Sequence, residues 1–270
     1  MTAALSLVHP GAFPPRAKVH YLRLSGVPDR EYFVFCPHRT MPDAEPLVLV
    51  HGISRNAAEL IVRFSERAER AGVPLVAPLF TQHAYGQYQQ VIDCKRGLRS
   101  DLALHDILDD AARRFGMDTR RVSLFGFSGG AQFVHRYAML NARRVRACIP
   151  VSAGWYTMPD GELKWPLGLK GMPTGDAVSA ARDIPFHVIV GQRDSGNGDA
   201  LRHDPALDRL QGTDRRARAT SWYRALQTAG WNASGSLTIL PRTRHNFACA
   251  HRRGLTETVF RLLGYEGKEA

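Results

Sequence analysis

No stretch of this sequence approaches the roughly 18 consecutive apolar residues that a membrane helix requires. The segment from Met1 to Pro10 lacks a basic n-region and has too short an apolar run for a secretory signal. The expectation is a cytoplasmic protein that does not associate with membranes. Cysteine is scarce: Cys36, Cys94, Cys148 and Cys249 are widely separated and form no Cys-x-x-Cys pair. This excludes a disulfide framework or a zinc ribbon and leaves reduced, buried thiols. There is no His-Glu-x-x-His and no Walker sequence, and Ser128 stands where a Gly-x-Gly-x-x-Gly motif needs its second glycine. Metal hydrolysis and nucleotide binding therefore lack their usual scaffolds, and no cofactor or metal is expected. Lysine is scarce as well. Only Lys18, Lys95, Lys164, Lys170 and Lys268 occur, so the net charge of +11 is almost all arginine. Most of the arginine clusters at 113–114, 120–121, 143–146, 215–218 and 252–253 fall at predicted helix ends or in the turns after them, where cations complement exposed carbonyls. With no aromatic RNA-binding signature, zinc-finger spacing or basic heptad beside them, they read as a solvated basic face, and no nucleic-acid partner is expected.

What is present is an alternation of apolar runs and helical periodicities over 270 residues with an apolar fraction of 44%, which fits one α/β domain over residues 1–270. Residues 1–16 read as a surface arm. Val19 to Leu24 and Glu31 to Cys36 are two strands joined by a turn, and Pro46 to His51 is a strand covered on both faces. Asn56 to Ala71 is helical, Val73 to Leu79 a strand that contains two prolines, and Ser100 to Phe115 a helix with Ser100 as candidate N-cap. Arg146 to Ser152, Pro185 to Gly191 and Ser236 to Leu240 are further strands. Asp214 to Ala229 and Arg253 to Leu263 are further helices. Two irregular segments, 158–183 and 195–212, are long enough to act as a small cap or lid. The pattern predicts a mostly parallel sheet with helices on both faces, whose ligand site lies beyond the carboxyl ends of the strands.

The segment Arg121 to Tyr137 organises the rest. An apolar strand turns through Gly126-Phe127-Ser128-Gly129-Gly130 into a helix, the context in which Gly-x-Ser-x-Gly acts as a nucleophile elbow. Side chains two positions either side of the serine would strike the neighbouring strand and helix, and Gly126 and Gly130 remove them. A serine nucleophile needs a base, and the base needs an acid to fix its tautomer. Asp194 follows the strand ending at Gly191, and His245 follows the strand ending at Leu240, so Ser128, Asp194 and His245 occur in the required order at one sheet edge. Asp199 and Asp204 rival Asp194, and His203 and His251 rival His245. His105 and His135 fall mid-helix and read as surface or core residues. The turn at His51-Gly52-Ile53 can direct a backbone N–H inward, which assigns an oxyanion hole to the N–H groups of Ile53 and Gly129. Trp155 and Tyr156, after the strand that follows the elbow helix, are candidate walls for a substrate. Arg193 and Arg244 flank the proposed acid and base and admit an anionic substrate group.

These motifs, His51-Gly52, Gly126 to Gly130, Gly191 to Asp194 and Arg244 to Phe247, resemble the α/β-hydrolase superfamily from about Tyr21 to Leu263. Among its members the chain looks most like serine esterases related to polyhydroxybutyrate depolymerases and feruloyl esterases. The resemblance implies hydrolysis of a small soluble carboxylic ester through an acyl-enzyme. A peptidase, thioesterase or acyltransferase would use the same residues, and a non-catalytic binding protein of this fold is the alternative from a different class. Oligomeric state is not legible.

Overall fold

Leu47-Val-Leu-Val50 is buried on both faces, a condition met only inside a sheet with helices on either side. The computed structural model describes residues 6–7, 17–27, 29–41, 44–93, 98–173, 177–196, 201–231 and 234–265. In chain order the elements are β1 (Ser6–Leu7), β2 (Val19–Arg23), β3 (Glu31–Phe35), β4 (Leu47–Val50), α1 (Ala57–Ala71), β5 (Leu75–Leu79), β6 (Ile92–Asp93), β7 (Leu98–Arg99), α2 (Ser100–Phe115), β8 (Val122–Phe127) and α3 (Gly129–Leu140). There follow β9 (Val145–Val151), α4 (Ala177–Ala181), β10 (His187–Gly191), α5 (Pro205–Gln211), α6 (Arg215–Thr228), β11 (Ser236–Leu240), α7 (Phe247–Arg252) and α8 (Leu255–Leu262). Among the described residues nine strands make one sheet in the order β1-β2-β3-β5-β4-β8-β9-β10-β11, with β6 and β7 pairing separately. β2–β3 and β3–β5 pair antiparallel, and from β5 onward every neighbouring pair is parallel.

Side-chain alternation along the central strands builds two cores. Val48 and Val50 of β4 face the layer of α2, α3 and α6, with Leu104, Phe133, Tyr137 and Trp222. Leu47 and Leu49 face α1 and α8, with Leu60, Phe64, Val259 and Phe260. The period of two along a strand thus puts consecutive residues into different layers. Both cores hold the parallel strands in register, and their carboxyl ends form one rim.

The elements expected from the sequence are present, with differences that have local causes. The N-terminal arm contributes β1, paired parallel to β2; its remaining residues lie outside the described ones. Pro78 sits inside β5 opposite Tyr32, beyond Val76, where pairing with β4 ends. Ser100 is not an N-cap. It is the first helical residue, behind Arg99, and its hydroxyl donates to the carbonyls of Tyr88 and Val91 at 2.9 and 3.0 Å. The expected closing helix is α8, which starts at Leu255 after Gly254 at φ 83°; the unexpected α7 precedes it and is capped by Asn246, which accepts from the Cys249 N–H at 2.8 Å.

The two irregular segments are more ordered than expected. In 158–183, the described Met158, Leu163, Trp165, Leu169 and Met172 pack on the α2–α3–α6 core. In 195–212, α5 is started by Asp204, whose carboxylate accepts from Ala206 and Leu207. Buried Arg218 of α6 ties that segment down. It donates to the carbonyls of Gly212 and Arg202, each at 2.8 Å, to Gly154, and to Asp208 Oδ1 at 2.6 Å. Cys148 and Cys249 are free thiols; Cys94 and Asp199 lie outside the described residues. Among the described residues, no helix is long and apolar enough to cross a membrane.

Candidate active site

Ser128 stands between β8 and α3 at φ 56° and ψ −110°, a conformation that costs a non-glycine residue about 1–3 kcal/mol and persists only where its surroundings enforce it. The enforcement is steric. A β-carbon on Gly126 would lie 2.3 Å from the Gly130 carbonyl oxygen, and one on Gly130 would lie 2.1 Å from the Val50 carbonyl oxygen. Only glycines let α3 begin this close to β8 and β4. The turn lifts the hydroxyl to the carboxyl rim, and the Ser128 N–H is anchored on the Val151 carbonyl of β9 at 2.9 Å.

The loops after β10 and β11 deliver the other two expected residues to the same point. His245 Nε2 lies 3.0 Å from Ser128 Oγ, and His245 Nδ1 lies 2.9 Å from Asp194 Oδ2. An ionised carboxylate only accepts, so Nδ1 carries the proton and Nε2 is left as acceptor for the serine hydroxyl. Asp194 is only 2% exposed. Its other oxygen lies 3.8 Å from Nη1 of the buried Arg215. The ring of His245 is stacked on Phe127 with centroids 5.2 Å apart, which limits its rotation. The rivals are occupied elsewhere. Asp204 caps α5, His203 meets Asp208 at 3.2 Å, and His251 meets Thr256 at 2.9 Å. His135 is a core residue that accepts from the Thr157 N–H through Nε2 at 2.9 Å, while His105 packs edge-on against Tyr137.

Ile53 and Gly129 are also brought together: a β-carbon on Gly129 would sit 3.3 Å from the Ile53 nitrogen and 2.8 Å from the Tyr88 hydroxyl. The turn that carries Ile53 is fixed from both sides. Buried His51 donates through Nδ1 to the Gly52 carbonyl at 2.8 Å and accepts through Nε2 from the Phe80 N–H at 3.0 Å. Burial brings this imidazole down to about 4, so it stays neutral. Tyr88 donates to the His51 carbonyl at 2.6 Å. Arg55 donates to the carbonyls of Ile53 and Phe80 at 2.7 and 2.9 Å. Sequence reasoning named His51 as part of the turn but missed Tyr88 and Arg55, whose only signals were a place in the Tyr-rich loop and adjacency to the His-Gly turn.

Beside Ser128 lies an open cavity of about 350 Å³. Its walls include Ile53, Leu60, Phe127 and Phe247, and its polar groups include Asn56, Glu59 and Asn246. Trp155 and Tyr156 are not among its lining residues, and for Tyr156 the expectation of a substrate wall is corrected. Tyr156 is fully buried and stacks on Trp222 with centroids 4.5 Å apart, because the chain after β9 turns it into the core. Trp155 lies under the guanidinium of Arg136, 4.0 Å from the ring centroid. Arg136 is itself fully buried and lacks a carboxylate partner among the described residues, and burial brings it down to about 9. Among the described residues no three His, Cys, Asp or Glu side chains converge to hold a metal ion.

The sheet order, the strained serine turn and the carboxyl-edge loops define the α/β-hydrolase fold. Solved structures of that fold superpose on most of the chain. Poly(aspartic acid) hydrolase-1 from Sphingomonas sp. KT-1 matches with a TM-score of 0.79 and 22% identity, over 91% of this chain and 100% of that one. The poly(3-hydroxybutyrate) depolymerase LpqC from Bordetella parapertussis matches with a TM-score of 0.74 and 26% identity, over 90% and 86%. An S-formylglutathione hydrolase from Agrobacterium tumefaciens matches with a TM-score of 0.61 and 13% identity, over 93% and 95%. No protein-family model matches the sequence, and no curated protein matches it either.

Proposed function

We propose that the protein is a serine hydrolase that cleaves carboxylic esters through an acyl-enzyme. The observation that carries this reading is the continuous line from Ser128 Oγ through His245 to Asp194, with contacts of 3.0 and 2.9 Å, built on a serine whose backbone is held in a strained turn. The hydrolases and depolymerase among the similar structures support it.

In this reading Ser128 Oγ bonds to the ester carbonyl carbon as His245 Nε2 takes the hydroxyl proton. The tetrahedral oxyanion is held by the N–H groups of Ile53 and Gly129, each such donor contributing about 3 kcal/mol in the transition state. Collapse breaks the bond to the alcohol oxygen, which receives the proton from His245. A water then gives its proton to His245, attacks the acyl carbon and releases the acid, and the proton returns to Ser128. Asp194 keeps the imidazole in the reactive tautomer and stabilises its cation. The cavity beside Ser128 receives one arm of the ester against Leu60, Phe127 and Phe247.

A fluorophosphonate probe tests the reading: it should label the wild-type protein and not Ser128→Ala. A panel of p-nitrophenyl esters, an acyl-CoA and a peptide amide then measures which acyl bond is preferred. A folded wild-type protein that takes no label sinks the proposal and favours a binding protein of the same fold.

A further inference from the structure

Five exposed arginines lie in the loops that carry Asp194 and His245 and on the helix that adjoins them. Arg193 precedes Asp194, Arg242 and Arg244 lie in the loop that ends in His245, and Arg216 and Arg224 lie on α6. The carboxylate pairing seen at Arg30, Arg63, Arg99 and Arg114 is absent at all five among the described residues, as it is at exposed Arg143 and Arg253; what sets the five apart is that their segments adjoin. The three segments are joined into one surface. The Arg193 N–H donates to the Thr243 carbonyl at 2.8 Å and the Arg216 N–H to the Asp194 carbonyl at 3.2 Å. Gln192 links the other two, accepting from the Arg242 N–H through Oε1 at 2.9 Å and from Arg216 Nη1 through its carbonyl at 3.2 Å.

The surface continues away from Ser128 along α6. Arg216, Thr220 and Arg224 recur every fourth residue and share a helix face. With Asp214, Ser221 and Ile239 they line an open depression of about 340 Å³. The Asp214 carboxylate there is engaged in capping α6, accepting from the Ala217 N–H at 2.9 Å. Five arginines against the single Asp214 carboxylate leave a net positive surface, and a bound polyanion relieves its self-repulsion. Arg216 and Arg224 alone are separated by about 12 Å along the helix axis, farther than one small acid spans.

We propose that the loops bearing Asp194 and His245, continued by the outer face of α6, form a track for a chain that carries repeated carboxylates, so that the substrate is a polycarboxylate whose scissile acyl group reaches Ser128. This rests on the serine-hydrolase reading above and adds the substrate class. The arginines select and align the chain through charge-assisted pairing, while the apolar cavity beside Ser128 receives the uncharged part next to the cleaved bond.

Direct binding tests the track apart from turnover. Fluorescent poly(aspartate) is titrated into Ser128→Ala and into Ser128→Ala combined with Arg216→Gln and Arg224→Gln, after melting curves show both to be folded. The added substitutions should weaken binding about tenfold, and binding should vanish near 1 M salt, where the screening length is about 3 Å. In the wild-type protein the same polymer should slow fluorophosphonate labelling of Ser128, and succinate at equal carboxylate concentration should not. Equal affinity for the two variants, or binding that leaves the labelling rate unchanged, overturns the track. An RNA oligonucleotide that binds and protects as well as poly(aspartate) overturns it too, by making the surface a general polyanion face. A wild-type serine that never labels overturns the hydrolase reading and the substrate assignment with it, while the titration reports separately whether the arginines bind the polymer.

Discussion

Gly126 and Gly130 approach so closely across the Ser128 turn that a β-carbon on the first would lie 2.3 Å from the carbonyl oxygen of the second. The clash is with backbone, which cannot swing aside. Gly126→Ala and Gly130→Ala should each cost about 3 kcal/mol or more, the upper range for forcing an extra carbon into a packed core, and should lower the melting temperature by roughly 10 °C. Thermal denaturation of the two variants measures this. Wild-type melting in either would show that α3 can shift without penalty.

The strain at Ser128 gives a second expectation. Ser128→Ala and Ser128→Gly both remove the hydroxyl and should both reduce ester hydrolysis by about 10⁴-fold or more. Only glycine adopts φ 56° and ψ −110° without strain. Ser128→Gly should therefore melt roughly 3 °C above Ser128→Ala, the equivalent of about 1 kcal/mol. Equal melting temperatures would mean that the turn holds no such energy.

Asp194→Asn should lower kcat by about 10⁴-fold by allowing the wrong His245 tautomer. It also removes the charge opposite the buried Arg215, so a stability loss of about 1–3 kcal/mol should accompany it, smaller than for a tightly bonded buried pair because the ions are 3.8 Å apart. Urea unfolding and steady-state kinetics on one preparation separate the two effects.

Arg55 holds the Ile53 carbonyl at 2.7 Å, and Ile53 is the proposed oxyanion donor. Arg55→Met should lower kcat about tenfold or more with KM little changed, because that N–H acts in the transition state more than in the bound ester. A rise in KM alone would instead place Arg55 in ground-state binding.

Stability should fall with acid, and the sign follows from burial. Burial takes His51 from the ordinary 6.5 to about 4 and depresses His135 as well. Below pH 6.5 the unfolded chain therefore binds protons that the folded one refuses. The stabilisation is complete above pH 6.5 and is lost as pH falls toward 4, by about 3 kcal/mol for His51 alone. Urea midpoints measured at pH 7.5, 6 and 5 should decline in that order.

Much of the site was legible because sequence order and chemistry constrain it together. Ser128, Asp194 and His245 each follow a recognisable apolar strand, and in a parallel sheet every such position lies on the same rim. Glycines two residues either side of Ser128 mark a turn that no other residue fits. The sheet, its flanking helices and the meeting of Ile53 with Gly129 follow from the same local signals. The substrate cavity was not legible. Leu60, Phe127 and Phe247 come from α1, β8 and α7, and their common facing depends on how those elements pack. Tyr156 shows the converse, since its sequence neighbourhood suits a pocket wall and its ring lies against Trp222 in the core. The arginine track likewise exists only once Gln192 links three separated segments. Local patterns determine which backbone each segment adopts, and tertiary packing alone decides which side chains share a surface, because that depends on contacts between residues far apart in the chain.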